Sequence, residues 1–213
     1  MTPVKTPRSY DARGRRAGAA RNREAVLDVA ERQFLSHGYA RTTVAAIASE
    51  AGVSAELVYK TFGGKGGLVQ AIYDRRLAGV GPIPAYQRSD EMRERQSDPA
   101  DIFKGWGRLT AEVAETVTPI RLLLRTAAAT DPDMAQLLAR FEDERLDRMR
   151  HHAQFLAERG FLRSGVDVET ATDVLWACSS VELYELLVLQ RQWPPDRFAA
   201  FITDMMRAGL LPR

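Results

Sequence analysis

The chain has 213 residues, of which 45% are hydrophobic and 27% charged, with a formal net charge of +2. That length holds one large domain or two modest ones, and the composition resembles that of an ordinary soluble globular protein. No apolar run approaches the roughly 20 residues that span a bilayer. The basic N-terminus lacks the apolar core of a secretory signal. The single cysteine, Cys178, excludes an internal disulfide framework and fits a reducing cytoplasm.

The net charge becomes informative when it is divided. Residues 1–76 hold 13 Lys and Arg against 7 Asp and Glu, a balance of +6, whereas residues 77–213 hold 17 against 21, a balance of −4. A basic head on an acidic body points to a nucleic-acid partner for the head alone.

In chain order, residues 1–20 carry Lys5, Arg8, Arg13, Arg15 and Arg16 among Pro, Gly and Ala. That composition predicts a flexible basic arm, which either follows DNA phosphates or has no specific role. A first helix is expected from about Ala20 to Ser36, buried through Leu27, Ala30 and Phe34 and ended by Gly38. Val44, Ile47, Ala48 and Ala51 then recur at helical spacing, with Thr42 and Thr43 ahead of them as candidate caps. Gly52 stops that helix, Val53 plugs the corner, and Ser54 caps a second helix expected to carry Leu57, Val58 and Phe62 inward. Two short helices around a glycine turn make a helix-turn-helix. A fourth helix is expected from Lys65 to about Leu77, so the helix-turn-helix domain is read as residues 21–79.

Residues 80–100 are polar and irregular and read as a linker or loop. The rest, residues 101–213, reads as helical. One helix carries Phe103, Trp106, Leu109 and Val113 up to Thr118-Pro119. A separate short one covers Ile120–Ala129, and a long amphipathic one runs from about Pro132 to Arg159. Another extends from Asp167 or Val168 to about Gln190, apolar nearly all round, and a last one follows Pro194-Pro195. The expected fold is all-α, with about nine helices.

With these residues the chain resembles the TetR family of bacterial transcriptional repressors. The resemblance rests on Phe34-x-x-x-Gly38-Tyr39, Thr42-Thr43, Ile47-Ala48, Ala51-Gly52-Val53-Ser54, Tyr59-x-x-Phe62 and Lys65-x-x-Leu68. It extends over the C-terminal half in architecture and in the turn Gly160-Phe161-Leu162-Arg163. It implies a homodimer that joins through its last two helices. Such a dimer binds a palindromic double-stranded DNA operator and releases it when a small-molecule effector fills a pocket in the C-terminal domain. No cofactor, metal or membrane partner is expected.

Seven residues are candidate DNA contacts. Thr43 stands at a helix N-terminus, where its hydroxyl and nearby N–H groups either hold a phosphate or merely cap. Ser54 and Ala55 open the recognition helix, the end that meets base edges. The resemblance assigns phosphate contacts to Tyr59 and Lys65, and Lys60 adds charge. Glu56 departs from a purely basic surface. It suits the helix dipole, could accept from a cytosine amino group, and would repel phosphates. The run Gly63-Gly64-Lys65-Gly66-Gly67 is a second departure, expected to leave the start of the fourth helix poorly defined. It lacks the spacing of a nucleotide-binding loop.

For the pocket, the candidates are Phe103, Trp106, Phe141, Arg145, Met149, His152, Trp176 and Tyr184. Arg145 interrupts an apolar stripe and would meet either an anionic ligand or an internal carboxylate. An enzyme would have to use Cys178, which lacks a histidine at motif spacing, or His151 and His152. Adjacent helical residues point about 100° apart and do not converge on one metal. No catalytic residue is assigned. The remaining alternative is a helical ligand-binding dimer without sequence-specific DNA binding, supported only by the glycine-rich corner.

Overall fold

The computed structural model describes residues 12–79 and 83–212, and among them there is no strand. The chain divides into two compact units, Met1–Leu68 and Val69–Arg213.

The first unit holds α1 (Ala12–His37), α2 (Val44–Glu50), α3 (Ala55–Phe62) and the first turn of α4 (Lys65–Ala78). Leu27, Ala30 and Phe34 of α1, Ile47 of α2, Val58 of α3 and Leu68 of α4 are fully buried together. The adjacent threonines have separate roles. Thr42 is buried and donates its hydroxyl back to the carbonyls of Gln33 at 3.2 Å and Gly38 at 2.9 Å, closing the end of α1. Thr43 faces forward as the N-cap of α2, accepting from the Ala46 N–H at 3.1 Å. At the corner, Gly52 takes φ +68° while Val53 N–H reaches the Ala48 carbonyl at 3.0 Å, the left-handed closure a glycine permits.

Helix α1 begins earlier than the sequence pattern predicts, inside the segment read as an arm; residues 1–11 of that arm lie outside the described residues. From Ala12 to Arg23 the chain has no proline and no β-branched residue. Alanine and arginine are among the best helix formers, so the helix propagates outward from its packed segment despite Gly14 and Gly18.

The second unit is built on α6 (Pro99–Ala128), 30 residues long. Around it lie the rest of α4, α5 (Ala85–Arg95), α7 (Pro132–Glu158), α8 (Val168–Cys178), α9 and α10 (Pro195–Leu210). Helix α9 starts as Val181–Tyr184 and continues as a π-helical segment, Glu185–Gln190. Ile102, Phe103, Trp106, Leu156, Leu175 and Phe198 are among the buried residues of its core. Helix α10 crosses α6 closely at Gly107: a Cβ there would lie 2.1 Å from Thr203 Oγ1 and 2.7 Å from the Ala199 carbonyl oxygen.

Three expectations are corrected here. The stretch read as a linker, 80–100, carries α5; its buried positions include Ser89 and Arg93, so no apolar period announces it. No break occurs at Thr118-Pro119. Pro119 faces solvent, where the one hydrogen bond it removes can be replaced by water, while buried Val117, Ile120 and Leu124 hold the helix on both sides. The helix expected from 167 to 190 is instead two, parted at Ser179-Ser180. Asp167 caps the first through the Thr170 N–H at 2.8 Å, and Ser180 caps the second through the Leu183 N–H at 3.4 Å. No helix among the described residues is long and apolar enough to cross a membrane.

Candidate functional site

Helix α3 is held by one residue and open on the opposite face. Val58 is fully buried, whereas Glu56, Tyr59 and Lys60 are exposed, Tyr59 by 57%. Leu57, expected to point inward, is 37% exposed, and Phe62 is half-buried. Two short helices enclose too little volume to cover both neighbours of Val58. The open face therefore offers an aliphatic side chain beside a phenol and an ammonium.

The two caps remain usable. Ser54 accepts from the Leu57 N–H at 3.1 Å, as Thr43 does from Ala46. Each hydroxyl accepts with its oxygen and keeps its own proton to donate. Both side chains are exposed, so capping and phosphate contact do not compete. Ala55 is half-buried, and Glu56 stands in the first turn of α3, where its charge favours the helix dipole.

The glycine-rich corner is ordered, contrary to expectation. Gly63 ends α3 at φ +78° with its N–H on the Tyr59 carbonyl at 2.8 Å, and Gly64 follows at φ +124°. A Cβ on Gly67 would sit 1.6 Å from the Phe62 carbonyl oxygen. Only a glycine there lets α4 start against the end of α3. Lys65 is half-buried and donates to the Tyr39 carbonyl at 2.8 Å, with its ammonium 4.1 Å from the Tyr39 ring centre. It therefore ties the end of α1 to the start of α4 and keeps two N–H groups for an outside partner.

The second site is a cavity of about 310 Å³ in the body, walled by α4, α5, α6, α7 and α8, with Val181 of α9 and Met206 of α10. Its α6 wall is the face from Trp106 through Leu109, Val113 and Val117 to Arg121. Tyr73 and Leu77 of α4 close one side, and Tyr86 and Ser89 of α5 another.

Of the eight residues predicted for the pocket, Trp106, Arg145, Met149 and His152 line it. Phe103 lies wholly in the core, Phe141 stacks on Tyr73 with ring centres 3.8 Å apart, and Tyr184 packs edge-on against Phe198. Trp176 lies under the Arg145 guanidinium, 4.6 Å away. Arg145 meets an internal carboxylate, Glu142, at 2.6 Å, and donates to the Trp176 carbonyl and Ser179 Oγ. Burial pulls its pKa down to about 10, so it stays charged at neutral pH. Arg121, not anticipated from sequence, is buried and pairs with the same Glu142.

At the other end, His152 is buried, with Nε2 3.0 Å from Ser89 Oγ and Nδ1 3.3 Å from Arg93. Burial first, then the nearby charges of Arg148 and Arg93, hold its pKa well below 6.5. Because Arg93 can only donate, the neutral ring accepts at Nδ1 and carries its proton on Nε2, towards Ser89. Asp90 pairs with both Arg148 at 2.9 Å and Arg93 at 3.2 Å. Cys178 also lines the cavity, and burial pushes its thiol up to about 11, which leaves no nucleophilic thiolate at neutral pH. Ser89, Arg93 and Arg121 escaped sequence reasoning because polar residues on a buried face look like solvated ones. The signal available was the spacing of Ala85, Ser89 and Arg93, every fourth residue.

Residues 26–72 match the family model described as bacterial regulatory proteins, tetR family. The HTH-type transcriptional regulator TtgR of Pseudomonas putida is 45% identical over 56 residues, which cover 26% of this chain and 27% of that protein. The chain thus matches only about a quarter of the length of this curated relative. Among solved structures, the triclosan complex of SmeT is 25% identical, with 90% of this chain and 92% of that chain covered and a TM-score of 0.71. SmeT is described as the repressor of the Stenotrophomonas maltophilia multidrug efflux pump SmeDEF. NalD of Pseudomonas aeruginosa, described as the secondary repressor of the MexAB-OprM multidrug efflux pump, is similar in fold. It is 21% identical over 91% of this chain and 98% of that one, with a TM-score of 0.72. Residues 26–72, with their capped helix-turn-helix, thus carry a domain of the tetR family of bacterial regulatory proteins, and the chain shares its all-helical fold with SmeT and NalD.

Proposed function

We propose that this protein is a DNA-binding transcriptional repressor that acts as a homodimer on a palindromic operator and is released by a small molecule filling the body cavity. The observation that carries this reading is the open face of α3, where Tyr59 and Lys60 stand exposed beyond the Ser54 cap while Val58 alone anchors the helix. Ser54 and Ala55 present the end of α3 to base edges, and Thr43, Tyr59, Lys60 and the remaining N–H groups of Lys65 reach phosphates. Glu56 stays a first-turn acid and accepts from a cytosine amino group where one is offered. The descriptions of TtgR as a regulator and of SmeT and NalD as repressors support the same reading.

Dimerisation through α9 and α10 is supported by Leu186, Leu189 and Met205, apolar side chains left about half exposed. The coupling runs through α4, whose first turn closes the helix-turn-helix and whose Tyr73 and Leu77 line the cavity. A ligand that pushes on Tyr73 pushes on that helix. Hundredfold release requires the ligand to favour the non-binding state by about 2.7 kcal/mol.

The test is anisotropy with palindromic fragments selected from a random DNA pool. Affinity should fall steeply with salt, and the double variant Tyr59→Phe, Lys60→Ala should weaken it while the fold is retained. No binding at any salt, or binding indifferent to salt, would reject the DNA-binding reading.

A further inference from the structure

Resting on the reading of the body cavity as a ligand site, we infer that its ligand is an apolar monoanion whose charge sits against Arg121. Arg121 and Trp106 both line the cavity, and they are only 3% and 4% exposed. Among the described residues, Arg121 Nη1 and Trp106 Nε1 are buried without a hydrogen-bond partner. Buried polar atoms are nearly always paired, so an unpaired one requires an explanation. Both orphans are donors, but Trp106 stands about 22 Å from Arg121 along α6, so it is the charged donor, Arg121, that sets the ligand's anionic end.

The charge inventory points the same way. Glu142 is shared by Arg121 and Arg145, and Asp90 is shared by Arg93 and Arg148. At ion-pair distance each cluster sets two guanidinium groups against one carboxylate; the exposed Glu182 also acts on Arg121 and Arg145 from further off, but it is paired with Arg125 at 3.6 Å. Arg121, Arg145 and Arg148 border the cavity. His152 adds no compensating charge of either sign, since it is held neutral. Its Nε2 proton goes to Ser89 Oγ, which leaves the Ser89 hydroxyl proton as a third donor on the wall. Glu144 also borders the cavity, but it is exposed, where water screens it. Between these groups the wall is apolar, with Leu109, Val113, Ala114, Val117 and Met149. An amine would meet charge of its own sign, and a bare hydrocarbon would leave the donors unmet. The cavity volume, about 310 Å³, lies at the small end of ligand pockets.

Three probes with one ring system test this on the full chain by calorimetric titration. They are 6-methoxy-2-naphthoate, its methyl ester, and the matching naphthylmethylamine, which is a cation. The carboxylate should bind at least tenfold more tightly than the ester, and the amine most weakly. Arg121→Met should bring the carboxylate to the level of the ester, whereas Arg121→Lys should keep the preference and controls for folding. Trp106→Phe should leave the preference for the carboxylate over the ester unchanged. Ester or amine binding as tightly as the carboxylate would overturn the anion class while leaving the cavity a ligand site. Failure of all three to bind would overturn both. Operator release is read in a separate titration, so a probe that binds without releasing DNA contradicts the regulatory reading and leaves the ligand class standing.

Discussion

In the helix-turn-helix unit the polar side chains that matter stand in solvent; in the body they are buried. Thr43, Ser54, Glu56, Tyr59 and Lys60 are all exposed and rest on a small apolar core. Ser89, Arg93, Arg121 and His152 are all buried and meet one another or the cavity. A surface that serves an external partner can be built from local rules: a cap, a turn glycine, one anchored face. A buried polar site must be built from tertiary partners, since each desolvated charge or donor needs a mate. The two regions differ in where their constraints come from.

Two glycines sharpen that contrast most strongly. Gly67→Ala puts a methyl against the Phe62 carbonyl and should cost the helix-turn-helix about 3 kcal/mol, the upper range for overpacking. Gly107→Ala meets the Thr203 hydroxyl and the Ala199 carbonyl and should cost the body about 2 kcal/mol. Urea unfolding gives the magnitudes, and hydrogen exchange locates each loss. Protection lost from the helix-turn-helix in the Gly107 variant would break the comparison.

The buried histidine gives the next effect, confined to the body. Its folded pKa lies well below the 6.5 of an unfolded histidine. Its stabilisation is therefore complete above that value and is lost as pH falls, because the unfolded chain takes up a proton that the folded one refuses. Stability should decline below pH 6.5 with a slope of up to about 1.4 kcal/mol per pH unit from this group. His152→Gln should flatten that slope in a series of unfolding curves. An unchanged slope would mean the ring is already protonated in the fold.

The smallest effect belongs to the recognition helix. Ser54→Ala removes the cap on the Leu57 N–H and should cost about 1 kcal/mol. Operator affinity should fall further than that loss of stability explains, because the hydroxyl proton is lost with the cap. A change in stability without a change in affinity would make Ser54 a cap alone.

How much was legible follows from the same contrast. The caps at Thr43 and Ser54, the stop at Gly52 and the buried Val58 are local choices, and the chain spells them directly. Leu57 was misplaced because burial of a two-turn helix depends on what lies opposite. In the body, α7 and α10 announced themselves by period, but α5 did not, since its inner face uses Ser89 and Arg93. Pro119 looked like a break because its cost is local while the packing that offsets it is not. Half of the anticipated cavity residues border it; Phe103, Phe141 and Tyr184 fill the core, and Trp176 lies half-buried under Arg145. Helical spacing puts Phe103 and Trp106 on one side, and only the neighbouring helices decide which of them meets open space.

The paired threonines have a last consequence. Thr42 fastens the end of α1 from behind, and Thr43 fastens the start of α2 from ahead. The short connection between them has few states left to lose when a duplex arrives. Ordering is completed in folding, so the interaction energy of each phosphate contact proposed above would reach the affinity undiminished by it.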